Sequence, residues 1–252
     1  MKKLYVSLLS LGLLLGCKTQ NEDSNRKAQL SENKTEASEQ EIEGEWQDLL
    51  SEENAGGWRA YNEPGGLPDG WVMEGETLKS LGKGADIGGD IVYGKEEFGE
   101  FELSLDWKIS PEGNSGIFYH VKEGEAYAAP YFTGPEFQLR DHQASSGQAN
   151  PVQSLGADYG MYAPRQSEAA VKKAGEWNSS RIVVTEDKVS YWLNGEKTVE
   201  FEPWSEDWKQ RKAEGKWKDY PDYGEARQGL IGLQDHGSEI WFRNIKIREL
   251  GD

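Results

Sequence analysis

An all-β sandwich or jelly roll is the fold class this sequence predicts, on three observations. Apolar and polar residues alternate with period two over many short segments, turn residues separate those segments at regular intervals, and a single stretch carries a convincing helical pattern. Many short strands punctuated in this way build two packed sheets. The first stretch of the domain, 46–70, is loop-rich, with Gly56-Gly57, Gly65-Gly66 and Pro68 as punctuation. Segments 71–78 and 90–93 read as short strands. The clearest strand is 98–109, where Phe101, Leu103, Leu105, Trp107 and Ile109 alternate with Glu102, Ser104, Asp106 and Lys108, giving one core face and one polar face. Strands are expected next at 115–121, 136–140, 181–185, 189–193 and 197–201, and Asn194-Gly195 between the last two is a type I′ hairpin signal. The helix is 205–214, carrying Trp208 on a charged background, and strands 229–234 and 239–248 close the chain. Residues 141–177 form the longest irregular stretch, which is uncommon in a compact domain unless the loop is functional. It is expected to cover a polar sheet face and give a site depth.

The N-terminus reads Lys2-Lys3, an apolar run over 4–15, then Gly16-Cys17, which is a secretion signal over 1–16 and too short for a membrane span. Leu14-Leu15-Gly16-Cys17 resembles a bacterial lipobox, which makes Cys17 the lipidation site and the first residue of the mature protein. Cys17 is the only cysteine, so no intramolecular disulfide forms. Residues 17–45 nearly lack large apolar side chains and are expected to be a disordered, acylated tether. Residues 46–252 then make one domain with a proper core. The expected location is extracytoplasmic, on the bacterial outer membrane, held through the N-terminal lipid alone. A net charge of −17 argues against nucleic acid and anionic lipid as partners and leaves neutral sugars acceptable.

The most informative segment is 134–142, GPEFQLRDH. Strict alternation puts Phe137 and Leu139 on one face of a strand and Glu136, Gln138 and Arg140 on the other, followed at once by Asp141 and His142. Acid, amide and base together on a core-forming strand are what an active-site strand needs. An antiparallel sheet with one wet face gives the same alternation without a site. The other two histidines, His120 at the end of NSGIFYH and His236 in GLQDHG, also sit beside unusual residues. Each neighbour has a plainer reading: Asp235-His236-Gly237 as a turn, Asn114-Ser115-Gly116 as the start of a strand, Arg140 as an exposed ion pair with Asp141. Trp107, Trp192 and Trp241 lie in alternating strands and are expected in the core, whereas Trp58, Trp71, Trp204 and Trp217 are the candidates for an exposed sugar-stacking surface. Three scattered histidines give no zinc signature, and no cofactor is predicted; the Asp and Glu content leaves a calcium or magnesium site open and unplaced.

The strings GDIVYGKEEFGEFELSLDWKISPEGNSGIFYHV, TGPEFQLRDH, AGEWNSSRIVV, YWLNGEKTVEFE and GLIGLQDHGSEIWFRNIKIREL occur in that order. Together they resemble the 3-keto-disaccharide hydrolase domain of secreted bacterial proteins, over nearly all of 46–250. The resemblance implies a concanavalin A-like jelly roll of two antiparallel sheets with its site on the concave face, and cleavage of glycosides already oxidised at C3. It also implies a functional link to a sugar 3-dehydrogenase. Glu136 and Gln138 match the family's E-x-Q, Asp141 its following acid, Asn114 its N-S-G turn, and Gln234, Asp235 and His236 its Q-D-H. On that chemistry Glu136 with His142 or His120 forms the proton-transfer pair, while Asn114, Gln138, Arg140, Asp141, Gln234 and His236 bind substrate. Two departures stand out. The family's K-T-G-A-[hydrophobic]-Y loop is replaced by residues 153–159, QSLGADY, which lack the basic residue and add Asp158; and Tyr191 stands where a histidine often precedes W-L-N-G, a change expected at a packing or rim position. Two other functions remain open at this stage: a non-catalytic glycan-binding lipoprotein, and a conventional glucanase. The latter wants two facing carboxylates, and Gln138 stands where the second is expected.

Overall fold

Phe101–Ile109 (β6) runs through the centre of the molecule because its five apolar side chains, Phe101 to Ile109, are all buried while its polar face stays outside. The computed structural model describes residues 44–85, 89–144, 150–165, 167 and 170–251, all within the unit 43–252. The signal at 1–16, Cys17 and nearly all of the tether lie outside the described residues. Around β6 the strands are β1 (Gln47–Asp48), β3 (Trp71–Glu74), β4 (Thr77–Leu81), β9 (Asn178–Val184), β10 (Val189–Leu193), β11 (Glu196–Phe201) and β13 (Glu239–Glu249). They pair antiparallel in the order β11-β10-β9-β6-β13-β4-β3, with β1 added beside β13. A second antiparallel sheet of five strands has the order β2 (Trp58–Ala60), β5 (Ile91–Tyr93), β12 (Leu230–Leu233), β7 (Asn114–Val121), β8 (Glu136–Arg140).

The two sheets enclose one core. Leu103, Leu105 and Trp107 of the first meet Ile117, Phe137, Leu139 and Ile231 of the second, so the chain is a jelly-roll sandwich. The expected strand at 71–78 is a hairpin instead: Gly75, at φ 64°, turns the chain between β3 and β4, and β1 and β2 are short strands inside the loop-rich start. Asn194 and Gly195 have φ of 48° and 87°, the pair of positive values a type I′ turn requires.

The tryptophans are sorted by register, and several expectations are corrected. Trp107 points inward, but Trp241 is paired with Lys108 and Trp192 with Arg181, so both share the outer face with charged partners. Lys108 Nζ lies 4.5 Å from the Trp241 ring and the Arg181 guanidinium 4.3 Å from that of Trp192. Glu102 on the same face receives Arg181 and, at 2.6 Å, Arg248. Trp58, Trp71 and Trp217 are buried rather than exposed, because each indole N–H donates to a backbone carbonyl, of Leu49, Gly89 and Tyr159 respectively. Trp204 is half-buried.

The helix Glu206–Glu214 (α1) starts where expected. Ser205 Oγ accepts from Trp208 N at 3.2 Å, and Trp208 is buried. Gly215 ends the helix, since a Cβ there would crowd the carbonyl oxygen of Arg211, and a 3₁₀ turn, Lys216–Asp219, follows directly. Ser205→Ala is expected to cost about 1 kcal/mol, read as a lower urea midpoint, because one helix N–H loses its partner. An unchanged midpoint would show that Trp208 burial alone holds the helix end.

Candidate active site

Alternation along β8 leaves Glu136 and Gln138 on the outer face of the second sheet, while Phe137 and Leu139 enter the core. Both edges of β8 are satisfied. β7 pairs on one side, with Phe118 opposite Glu136 and Gly116 opposite Gln138. On the other side Gln138 N donates to Ala157 O at 3.0 Å, Gly156 N to Gln138 O at 2.9 Å and Tyr159 N to Glu136 O at 3.0 Å. The long loop therefore extends the sheet instead of lying over its face, and contributes Tyr159 as a wall. The other walls come from two 3₁₀ turns: Pro130–Phe132 brings Tyr131, and Lys216–Asp219 brings Lys216 and Trp217 with Tyr220 just beyond. These residues enclose about 280 Å³ above a floor of Asn114, Glu136, Gln138, Gln234 and His236.

Gly116 makes that floor possible. A Cβ there would run into Glu136 Oε1 and stand 2.8 Å from its Cγ and Cδ, so the glutamate side chain lies across the space that a side chain at 116 would take. Gln138 Nε2 donates to Asn114 Oδ1 at 2.9 Å and Ser115 O at 2.7 Å, which fixes both amides. Gln234 is locked by its own backbone, donating to Gly116 O at 3.0 Å and accepting Ser115 Oγ at 2.7 Å. Asp235 builds the turn that follows: Oδ2 accepts from Gly84 N and Oδ1 from Gly237 N, and His236 is carried between them to the cavity.

The electrostatics single out Glu136. Burial pushes its carboxyl up to about 8, Lys216 pulls it down, and the carboxyls of Asp90 and Asp158 push it further up. A group of this kind changes charge close to neutral pH, as proton transfer requires. Asp90 is itself raised to about 8 by burial, while accepting from Asp235 N at 3.0 Å. Asp158, the acid added to the loop, lies behind the cavity wall. It is buried beside the Tyr191 hydroxyl at 3.4 Å, which in turn is 3.0 Å from that of Tyr119, and burial holds Asp158 well above the usual carboxylate range. Tyr191 is packed against Phe137 and Phe201, as a packing position demands.

A model of the 3-keto-alpha-glucoside-1,2-lyase-like domain matches residues 45–248. The chain belongs to this family. A Bacteroides thetaiotaomicron protein named 3-keto-disaccharide hydrolase is 33% identical over 221 residues, 77% of this chain and 74% of that one. A solved structure from Parabacteroides distasonis, provisionally assigned as a glycosyl hydrolase, is 39% identical, covers 82% of this chain and 94% of its own, and superposes with a TM-score of 0.73. A second from the same organism, with the same provisional assignment, is 28% identical with a TM-score of 0.62, covering 82% and 100%.

In this 3-keto-alpha-glucoside-1,2-lyase-like domain, Asn114, Glu136, Gln138, Gln234 and His236 meet at one cavity, and four other candidates do not. His120 sits in the left-handed region, φ 53°, where a bulge turns its ring off the outer face. Its Nε2 donates to Gly99 O at 2.8 Å and the ring packs edge-on against Phe101 and Tyr119, so the pairing of His120 with Glu136 is corrected to a structural position. His142 is exposed in the turn beyond β8 and takes no part in lining the cavity, because the strand has ended and the chain turns away. Asp141 accepts from Glu112 N and Gln143 N, both at 3.0 Å, and shapes that turn rather than meeting a ligand. Arg140 donates to Gln153 O at 3.1 Å and so ties the loop to β8. His236 is the histidine that reaches the site. Sequence reading missed Lys216, Tyr131, Tyr159 and Tyr220, and took Trp217 for an exposed ring. Among the described residues no cluster of three or more His, Cys, Asp or Glu side chains is arranged to hold a metal ion.

Proposed function

We propose that this cavity cleaves glycosides that carry a ketone at C3, with Glu136 taking the C2 proton and His236 serving the leaving oxygen. The observation that carries this reading is Glu136: a carboxyl held near neutral by burial, laid over a glycine, in a cavity floored by oriented amides. Family membership and the names of the relatives support a glycoside-cleaving activity in general, and the name of the Bacteroides relative supports the keto sugar in particular. The chemistry suits the residues. A C3 ketone acidifies the C2 proton, a general base removes it, and the resulting enolate expels the aglycone from C1 as the leaving oxygen takes a proton. Water then adds across the unsaturated sugar, so the net change is hydrolysis. One carboxylate base with a proton donor at the leaving oxygen suffices, whereas an ordinary glycosidase needs two carboxyls flanking the bond. Within this cavity the place beside Glu136 on β8 is taken by an amide, Gln138.

The first test is aglycone release from a glucoside and from its 3-keto derivative. Release from the keto compound alone is expected; cleavage of the unoxidised glucoside would favour a conventional glycosidase, and binding without cleavage of either would favour a glycan-binding protein. Because the base must be ionised, kcat/KM is expected to rise with pH along a limb centred near 8. A flat profile from pH 6 to 9 would remove Glu136 as the base.

The same proposal includes the setting. Acylation at Cys17 would hold the protein outside the cytoplasm at the bacterial outer membrane, with residues 18–45 as the tether. The ketone must come from an oxidation of the sugar at C3, so a sugar 3-dehydrogenase is the reaction that supplies the substrate.

A further inference from the structure

We propose that Lys216 supplies the positive charge that stabilises the C3 oxygen as it becomes an enolate, an inference that rests on the 3-keto reading above. Segment 153–159, which extends the sheet beside β8, carries no basic residue, and the charge enters the cavity from a different element. Lys216 opens the 3₁₀ turn that follows α1, and it lines the same cavity as Glu136, Asn114 and Gln234. Its Nζ stands 3.9 Å from the centre of the Tyr159 ring and 4.9 Å from that of Trp217. Those rings are themselves fixed: Trp217 Nε1 donates to Tyr159 O at 2.9 Å, and the indole stacks on Tyr223 with 4.0 Å between centres. The ammonium is thus guided to the cavity mouth by π faces. Among the described residues it makes no ion pair with a carboxylate within 4.0 Å.

Cations on the neighbouring elements β8 and α1 are committed. Arg140 is bonded to Gln153 O, Lys212 to Glu225 at 2.5 Å, and Arg211 to Asp207 at 2.8 Å. Lys216 is also the cation that acts most strongly on Glu136, so its charge reaches the floor of the cavity. Negative charge develops on the C3 oxygen only as the C2 proton leaves. A cation at that oxygen therefore favours the transition state over the bound ketone, and it is worth most where a ligand has displaced water. The amides Asn114, Gln138 and Gln234 on the cavity floor are neutral and carry no full charge.

The experiment compares wild type, Lys216→Met and Lys216→Arg on a 3-keto glycoside, with pH profiles and Glu136 observed by carboxyl ¹³C NMR. Lys216 is exposed, so the Met variant is expected to fold with an unchanged melting temperature. Expected results are a fall in kcat of about 10²-fold with KM changed only a few-fold, substantial recovery in Lys216→Arg, and an upward move of both the Glu136 titration and the rising limb of the pH profile. An active wild type with a Met variant inside a few-fold of its kcat, or with its loss confined to KM, would overturn the role of Lys216 alone. A wild type silent on the keto compound would overturn the functional reading and this inference with it.

Discussion

Glu136→Gln is expected to lower turnover of a 3-keto glycoside by about 10³-fold while making the folded protein more stable at pH 8, because the same burial that tunes the carboxyl penalises its charge. The amide keeps the shape and cannot take a proton. The stability half follows from proton linkage. Glu136 is raised from an ordinary value of 4.5 to about 8 in the folded protein, so the folded state holds its proton over a range where the unfolded chain has released it. Stability from this group is complete below the unfolded value and is lost as pH rises through the folded one. The window is therefore roughly pH 4.5 to 8, and across it the ionisable side chain costs up to a few kcal/mol relative to glutamine. Urea melts of both proteins at pH 5 and pH 8 measure this: the variant should gain at pH 8 and gain little at pH 5. Equal gains at the two pH values would mean that the carboxyl is not perturbed, and retained turnover would remove Glu136 from the chemistry.

The strand pattern was legible because alternation survives translation into a sheet. β8 is found at the expected residues, and Glu136 and Gln138 face outward as read. The E-x-Q and Q-D-H strings converge because β8, β7 and β12 are neighbours in one sheet. What escaped has physical reasons. His120 is a candidate for its place at the end of NSGIFYH and for the family chemistry, but the left-handed backbone at that residue turns its ring away from the site. His142 is two residues beyond the strand, where no periodicity holds. Lys216 lies 80 positions from Glu136 in a charge-rich stretch just past the expected helix 205–214, and only the Gly215 stop and the packing of Trp217 bring it to the cavity. The tryptophans show the same limit: Trp217 sits among Lys216, Lys218 and Asp219, and its burial depends on Tyr223 and Tyr159, which no local pattern reveals.

Gly116→Ala is expected to cost activity far more than stability, which makes it the sharpest test of the geometry around Glu136. The added methyl would overlap Oε1 and crowd Cγ and Cδ of Glu136 from 2.8 Å. Those atoms are the free end of a flexible side chain that borders a cavity of about 280 Å³, so the carboxyl can swing into open space and the fold loses little, about 1 kcal/mol or less. The displaced carboxyl, however, occupies the volume meant for the sugar and no longer addresses C2. A shift of about 1 Å at a reacting group lowers rate by about 10²-fold, and here the base moves by more than that. Turnover of the 3-keto glycoside should fall at least that far, with melting temperature nearly unchanged. The double variant Gly116→Ala/Glu136→Ala, in which no long side chain is left at 136 to be displaced, decides whether the loss runs through Glu136. If the methyl acts by displacing that carboxyl, the double variant is no slower than Glu136→Ala alone, since the two changes remove the same function. Losses that multiply would instead mean that Gly116 serves the substrate directly, as the place where the sugar lies closest to the sheet.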